Sequence, residues 1–358
     1  MPGAARRASR PLAWGVAAAA GRRRFAGGEG AAGRLGFIGL GKIGSGMLGN
    51  LARAGRSAVV HDRDPAAQAA AVQASGSAVS GADSVAEVGR RLRSEDGSAP
   101  AVVFTVVPDD RVLGAVAGEL LPALEALGGP RRAIHVSCST VSPATSRAWA
   151  EAHAAAGVGF VAAPVFARPD GMRRGEATIP VSGPAWAKEV AIPLLRHTAG
   201  GVHDFGEDAG AANVVKLGGN FLIAAAIEAL AEASALAESH GVDREQFVSL
   251  MNSTIFDCLI YRGYGHRVAA RDHFPHPDAH FALDLGSKDV ALVYDSAAQA
   301  KCPMPIASLL RDRFVAAQNS GRGKLDWSAL ALRASEDAGA DVSARLAELL
   351  ESTGTPKG

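Results

Sequence analysis

Leu35-Gly36-Phe37-Ile38-Gly39-Leu40-Gly41-Lys42-Ile43-Gly44 is the stretch on which the fold turns. Arg34 to Gly39 is a short apolar run suited to a buried strand, and Lys42 to Ala54 has the spacing of a helix that Gly55 ends. A Gly-x-Gly-x-x-Gly turn between a strand and a helix has a mechanical meaning. Gly39 permits the tight turn, Gly41 lets a pyrophosphate approach the backbone, and Gly44 lets helix and strand pack closely. The helix N-terminus, from Lys42 and Ile43 onward, offers N–H groups without intrahelical partners to the phosphates. In a chain with 42 glycines such a pattern alone is weak. Its context strengthens it: a second strand, Ser57 to His61, ends in the acid Asp62, about 20 residues on. A carboxylate there accepts the adenosine ribose 2′-hydroxyl and favours NAD. Arg63, the next residue, is the type that pairs with a 2′-phosphate, so NADP is the alternative.

Working outward, strands and helices alternate. Pro65 to Ala74 reads as a helix, Val102 to Val107 as a strand stopped by Pro108, and Val112 to Ala126 as a helix that Pro122 breaks. Ala133 to Val136 is a strand, Pro143 to Ala156 a helix, Gly159 to Ala162 a strand, and Ile179 to Ser182 a further candidate strand. This alternation predicts a parallel, doubly wound α/β sheet of the Rossmann type. Beyond about residue 205 the pattern turns helical. Ala209 to Ser239 has no proline and predicts one helix of about 45 Å. Residues 243–253, 285–300, 305–319 and 326–349 also read as helices, with loops at Ser94 to Pro100 and His266 to His280. The expected organisation is a dinucleotide-binding domain over 34–200 and an all-helical domain over 201–350.

Composition narrows the function classes. Hydrophobic residues at 48 % and charged residues at 20 % suit a large buried core, and a net charge of +1 gives no reason to expect a nucleic-acid partner. Cys138, Cys258 and Cys302 are too far apart for a disulfide framework or a metal-ligand spacing. No uninterrupted apolar run reaches the roughly 18 to 20 residues of a membrane span, so no membrane partner is expected. Residues 1–33 stand apart, with Arg6, Arg7, Arg10, Arg22, Arg23 and Arg24 ahead of the first acid, Glu29. An Arg-rich, acid-poor leader reads as a transit peptide. Its low serine content points to the mitochondrion, with the plastid as alternative; a disordered extension with no address is the plainer reading.

In the second half, Lys216 and Asn220 stand at i and i+4 on the long helix and share a face amid Val214, Val215, Leu217, Phe221 and Leu222. A lysine in an apolar stretch is costly to keep charged, and desolvation lowers its pKa towards the range useful for proton transfer. A surface lysine on an interdomain helix is the alternative.

Several segments, taken in order, resemble the β-hydroxyacid dehydrogenase family, which includes 3-hydroxyisobutyrate dehydrogenases and glyoxylate/succinic semialdehyde reductases. Gly39-Leu40-Gly41-Lys42-Ile43-Gly44 is similar to its GLGxMG cofactor turn, and Val107-Pro108 to a loop on the nicotinamide side. Ser139-Thr140-Val141-Ser142-Pro143 is similar to its STxxP, whose Thr contacts the cofactor, and Ala163-Pro164-Val165 to the start of its substrate segment. Gly210-x5-Lys216-x3-Asn220 resembles the segment that carries the catalytic Lys, and Lys288-Asp289 the late KD pair whose Lys reaches the cofactor. The resemblance implies hydride transfer between NAD(P) and a small hydroxy acid or semialdehyde, with Lys216 exchanging the proton and Asn220 orienting the oxygen. It requires no metal, places the site between the two domains, and implies a homo-oligomer. The Ala-rich face of the long helix (Ala224, Ala225, Ala229, Ala231, Ala235) suits either a subunit contact or the chain's own core.

The chain leaves the family pattern at the substrate segment. Where DAPVSGG is usual it has Ala162-Ala163-Pro164-Val165-Phe166-Ala167-Arg168. The small donors give way to a large apolar Phe166 and a cationic Arg168, which either clamps a carboxylate or faces solvent. Substrate contacts are thus expected from Val165, Phe166 and Arg168. Two rival readings share the architecture: a related NADPH-dependent imine reductase, and a non-catalytic cofactor-binding scaffold. Retention of Lys216 argues against both. Tyr261, Tyr264 and His266 either reach the site from the helical half or, as lone polar residues more often do, serve the structure alone.

Overall fold

The computed structural model describes residues 35–92, 99–273 and 279–352. The 1–33 leader, most of the 94–100 loop and part of the 266–280 loop lie outside them. The first half runs β1 (Leu35–Ile38), α1 (Lys42–Arg53), β2 (Ala58–His61), α2 (Pro65–Ser75), β3 (Val79–Gly81), α3 (Val85–Arg90), β4 (Ala101–Thr105), α4 (Asp110–Glu125), β5 (Ala133–Ser137), α5 (Pro143–Ala155) and β6 (Gly159–Ala162). It closes with α6 (Pro169–Arg173), β7 (Ala177–Val181), α7 (Ala185–Leu195) and β8 (Ala199–Asp204). Helices follow: α8 (Ala211–Ser239), α9 (Arg244–Asn252), α10 (Leu259–Ala270), α11 (Leu283–Gln299), α12 (Pro305–Asn319), α13 (Ala331–Asp337) and α14 (Ser343–Ser352).

Strands β1 to β6 form one parallel sheet in the order β3-β2-β1-β4-β5-β6. Both faces are covered, as a parallel sheet requires. Alternate residues such as Leu35 and Phe37 pack into one core, and Ile38, Val59 and Val103 into another. The topological switch lies between β1 and β4, the place where such sheets bind ligands beyond their carboxyl ends. Register aligns these ends: Ile38 pairs with Thr105, Thr105 with Ser137, and Ser137 with Ala162. The four segments that leave them, at 39–44, 106–108, 138–142 and 163–168, therefore emerge along one edge. β7 and β8 form a separate parallel pair. Bridges Ala162–Ser182 and Phe166–Thr178 join β7, antiparallel, to the chain that follows β6.

Three expectations need correction. α4 continues through Pro122, because buried Leu120, Ala123 and Leu124 hold its last turn in place despite the missing N–H. The helix expected over 326–349 is three pieces: a 3₁₀ turn at Trp327–Leu330, then α13 and α14. Gly339, at φ +82°, lies in the break between the last two. The loop expected from His266 begins as helix, since α10 runs to Ala270. Its glycines Gly263 and Gly265 disguise it, and it ends on Arg271 in the left-handed region rather than on a glycine.

α8 is 29 residues long, about 44 Å, and binds the two halves together. At its start Asn213, buried, donates to the Val141 carbonyl (3.2 Å) and accepts the Ser146 hydroxyl (2.9 Å). Further along, Ala224, Ala231 and Ala235 are buried within the chain's own helical core. By length and composition, with a mean hydropathy of 1.6 over its most apolar window, α8 is apolar enough to cross a membrane. Counting uninterrupted apolar runs missed this, since Asn213, Lys216, Asn220 and Glu228 punctuate it; all four are buried against neighbouring elements.

Candidate active site

The glycine turn has the geometry its spacing requires. Gly39 sits at φ +92°, where a Cβ would lie 2.2 Å from the Val106 carbonyl oxygen. At Gly44 a Cβ would lie 2.0 Å from the Gly39 oxygen, so helix and turn touch backbone to backbone. At Gly41 a Cβ would meet nothing, and the α1 N-terminus carries neither a side-chain cap nor an acid in its first turn. An open backbone surface at an uncapped helix N-terminus is the cradle an anionic pyrophosphate needs, and the residues fit a dinucleotide. Leu40 is buried and its N–H goes to the Asp62 carboxylate at 2.6 Å; the other Asp62 oxygen accepts the Asp64 N–H at 2.8 Å. Each oxygen retains a lone pair for a ribose hydroxyl. Ile43 packs on the core, Arg63 is exposed at the strand end, and Lys42 reaches across to the Ala279 carbonyl at 2.9 Å.

The segments after β4 and β5 brace one another: Val107 N–H donates to Ser139 Oγ at 2.9 Å. Lys288 on α11 bridges both, donating to the carbonyls of Pro108 (2.9 Å) and Thr140 (2.7 Å). Its ammonium also lies 2.9 Å from Asp289 Oδ1. Asp289 is 1 % exposed, and its Oδ2 accepts the amide N–H of Asn220 on α8. The Asn220 oxygen in turn accepts the Lys216 ammonium at 3.0 Å. A continuous polar chain thus runs from the loops at Pro108 and Thr140 to Lys216. Asp289 was not among the site residues expected from sequence; its signal was present in the Lys288-Asp289 pair.

Lys216 is 8 % exposed, and its ammonium lies 4.2 Å from the centroid of the Phe166 ring. Burial lowers its pKa to about 8; Lys288 adds to the lowering and Asp289 opposes it. Cys138, beneath the same loop, is pushed up to about 12 by burial and is not a nucleophile. Of the expected substrate residues, Phe166 and Arg168 lie beside the lysine and α10. Val165 belongs to the core under the site, which leaves only its backbone to face a ligand. Arg168 lies over the Tyr264 ring, 5.0 Å from its centroid, so of the two roles open to Tyr264 it takes the one at the site's edge. Among the described residues, no group of three His, Cys, Asp or Glu is placed to hold a metal.

A dinucleotide cradle at the switch point, facing a buried lysine of lowered pKa from a second, helical half, defines an NAD(P)-dependent oxidoreductase. Comparison with known proteins agrees. A family model described as the NAD binding domain of 6-phosphogluconate dehydrogenase matches residues 34–208. A second, described as the NAD-binding domain of NADP-dependent 3-hydroxyisobutyrate dehydrogenase, matches residues 210–334. The chain is similar to an oxidoreductase of Bacillus subtilis, 33 % identical over 83 % of this chain and 98 % of the relative. It is similar also to an L-threonate dehydrogenase of Escherichia coli, 31 % identical over 83 % of this chain and 93 % of the relative. A solved 3-hydroxyisobutyrate dehydrogenase of Mycobacterium tuberculosis, crystallised with L-serine, superposes with a TM-score of 0.72 at 25 % identity, covering 84 % of this chain and 99 % of that one. The chain belongs to the β-hydroxyacid dehydrogenase family.

Proposed function

We propose that this protein oxidises a small hydroxy acid, or reduces the corresponding semialdehyde, with Lys216 as proton acceptor and donor. The observation that carries the reading is the buried Lys216 ammonium, tuned to about 8 and tied through Asn220, Asp289 and Lys288 to the loops at Pro108 and Thr140. Bound nicotinamide supplies the acceptor for the hydride that leaves the carbinol carbon. As that C–H bond breaks, neutral Lys216 takes the hydroxyl proton and the carbonyl forms; in reduction the protonated amine returns it. Asn220 fixes the lysine by accepting one of its N–H groups, and Asp289 fixes the orientation of the Asn220 amide by accepting its N–H. Residues 39–44 cradle the pyrophosphate. Asp62 takes the ribose hydroxyls and favours NAD, while Arg63 leaves NADP usable. Phe166 covers the lysine and excludes water, and Arg168 takes the substrate carboxylate.

The test is cofactor reduction with a panel of hydroxy acids, beginning with L-threonate and 3-hydroxyisobutyrate, the compounds for which relatives are named. Turnover that vanishes in Lys216→Ala while NADH still binds supports the reading; turnover of amines or imines in place of alcohols overturns it. The helical half exposes large apolar side chains, among them Leu222, Ile255 and Leu259, which favours a homo-oligomer, checked by light scattering on the full chain and on Ile255→Asp. The Arg-rich leader favours mitochondrial import, which a fluorescent fusion of residues 1–33 checks.

A further inference from the structure

Glycine inside a helix costs about 1 kcal/mol relative to alanine, so it needs a reason. Two helix glycines of this chain have the same reason. A Cβ on Gly219 of α8 would lie 2.5 Å from the Phe166 ring, and one on Gly263 of α10 would lie 2.6 Å from Nη2 of Arg168. By contrast, a Cβ on Gly218, next door in α8, would meet nothing. The two bulky residues of the substrate segment thus fill room left by small residues on two distant helices.

The Arg168 guanidinium has a second constraint. It lies over the Tyr264 ring, 5.0 Å from the centroid, and meets the Tyr264 hydroxyl, which is itself held by accepting the indole N–H of Trp327 at 2.9 Å. Phe281 packs edge-on to the same indole with ring centroids 4.9 Å apart. The nearby charges are committed elsewhere: Asp170 to Arg174 at 3.1 Å and Arg267 to buried Asp326 at 3.4 Å. The Phe166 N–H is also spent, on the Thr178 carbonyl at 2.9 Å, so this backbone donor is closed to a ligand. A half-buried guanidinium held against a fixed ring is suited to the bidentate capture of an oxyanion such as a carboxylate.

We propose that Gly263 and Tyr264 are positioning residues that aim Arg168: Gly263 gives the guanidinium room, Tyr264 gives it a platform, and together they set the preference for a carboxylate ligand. The inference rests on Arg168 being the carboxylate anchor. It is tested on the full-length enzyme loaded with NADH, titrating isobutyrate and its neutral amide, isobutyramide, and following the fluorescence of the bound NADH. Wild type is expected to prefer the carboxylate at least tenfold, and Arg168→Met to lose the preference. Gly263→Ala, which places a methyl where the guanidinium lies and improves helix propensity, is expected to lower the preference at least fivefold without lowering Tm. Tyr264→Leu should do the same, and Tyr264→Phe, which keeps the ring and loses only the hydroxyl contact, should retain more of the preference than Tyr264→Leu. If Arg168→Met abolishes the preference while Gly263→Ala and Tyr264→Leu retain it in full, the positioning role is overturned and the anchor stands. If wild type shows no preference, or Arg168→Met keeps it, the anchor reading falls and this inference with it. Should Tyr264→Leu fail to fold, Gly263→Ala alone decides.

Discussion

The turn after β1 and the segment after β6 leave the same sheet edge and do opposite things with residue size. In the turn, smallness is local: Gly39, Gly41 and Gly44 are themselves the small residues, and the backbone is the binding surface. In the segment, smallness is remote: Phe166 and Arg168 are large, and the glycines that admit them are Gly219 and Gly263 on α8 and α10. Backbone recognition fixes the residue types at the site itself. Side-chain recognition moves the constraint to whatever the side chains touch. The first region therefore holds a family-wide ligand, and the second is free to vary with the substrate.

The sharpest separation of the two regions is expected at Lys216, which serves the segment and not the turn. Lys216→Met should lower kcat by about 10²- to 10⁴-fold, the range of general acid–base catalysis, with NADH affinity unchanged by fluorescence titration. In wild type, oxidation should rise with pH and level off above about 8, since the neutral amine is the proton acceptor, and reduction should fall over the same range. A pH–rate profile with no inflection near 8, or a Lys216→Met enzyme that loses NADH, would show that the regions are not separable in this way.

Within the turn, Gly44 and Gly41 should behave differently. A methyl at Gly44 collides with backbone at 2.0 Å that cannot yield. Gly44→Ala is therefore expected to cost at least about 1–3 kcal/mol of stability, the usual overpacking range, and cofactor binding with it. Gly41→Ala meets no protein atom, so Tm should hold while Kd for NADH rises about tenfold or more. Equal loss of stability in both variants, measured by urea denaturation, would mean that Gly41 is a structural glycine and not a cradle.

This contrast also explains what was legible in the sequence. Gly39, Gly41, Gly44 and Asp62 could be read because each requirement is met within one strand–turn–helix unit. Lys216 and Asn220 could be read as one face of a helix, but the partner that completes them, Asp289, arrives from α11. Tyr264 could be named only as one of several lone polar residues, and Gly263 carried no signal, since tertiary contact with Arg168 is what gives them meaning. For the same reason α10 escaped notice: Gly263 and Gly265 look like loop residues until Arg168 and Val248 are seen packed against them. β3 and β8, short and rich in Ser, Gly or Asp, lack the apolar alternation that marks a strand.

A smaller effect should distinguish the β6 edge of the sheet from its centre by pH. Beneath β6, buried His135 lies 2.9 Å from Thr105 Oγ1 and 3.0 Å from His153, which contacts the Trp149 carbonyl at 2.7 Å. Burial lowers both histidines, His153 to about 4, and lowers His273 in the helical half to about 3. Because the unfolded chain binds these protons near 6.5 and the folded chain does not, their contribution is full above that pH and is lost as pH falls towards the folded values. The urea midpoint should fall from pH 6.5 towards 4. Hydrogen exchange should open β5 and β6 before β1, which has no such histidine beneath it; the reverse order would break the assignment.

The smallest effect is expected at Asp62, where the turn's two duties meet. Its carboxylate accepts the Leu40 and Asp64 N–H groups and still has lone pairs to offer a ribose. Asp62→Asn keeps one acceptor oxygen for Leu40 and gives up the bond from the Asp64 N–H, so the turn should persist with a modest fall in Tm. The charge-assisted contact to the ribose is lost, a change worth about 1.5 kcal/mol or more, and the repulsion of a 2′-phosphate goes with it while Arg63 remains. The ratio of kcat/KM for NAD over NADP should therefore fall about tenfold or more. If the ratio holds, Asp62 serves only to brace the turn through Leu40 and Asp64, and the choice of cofactor is made by side chains outside the turn.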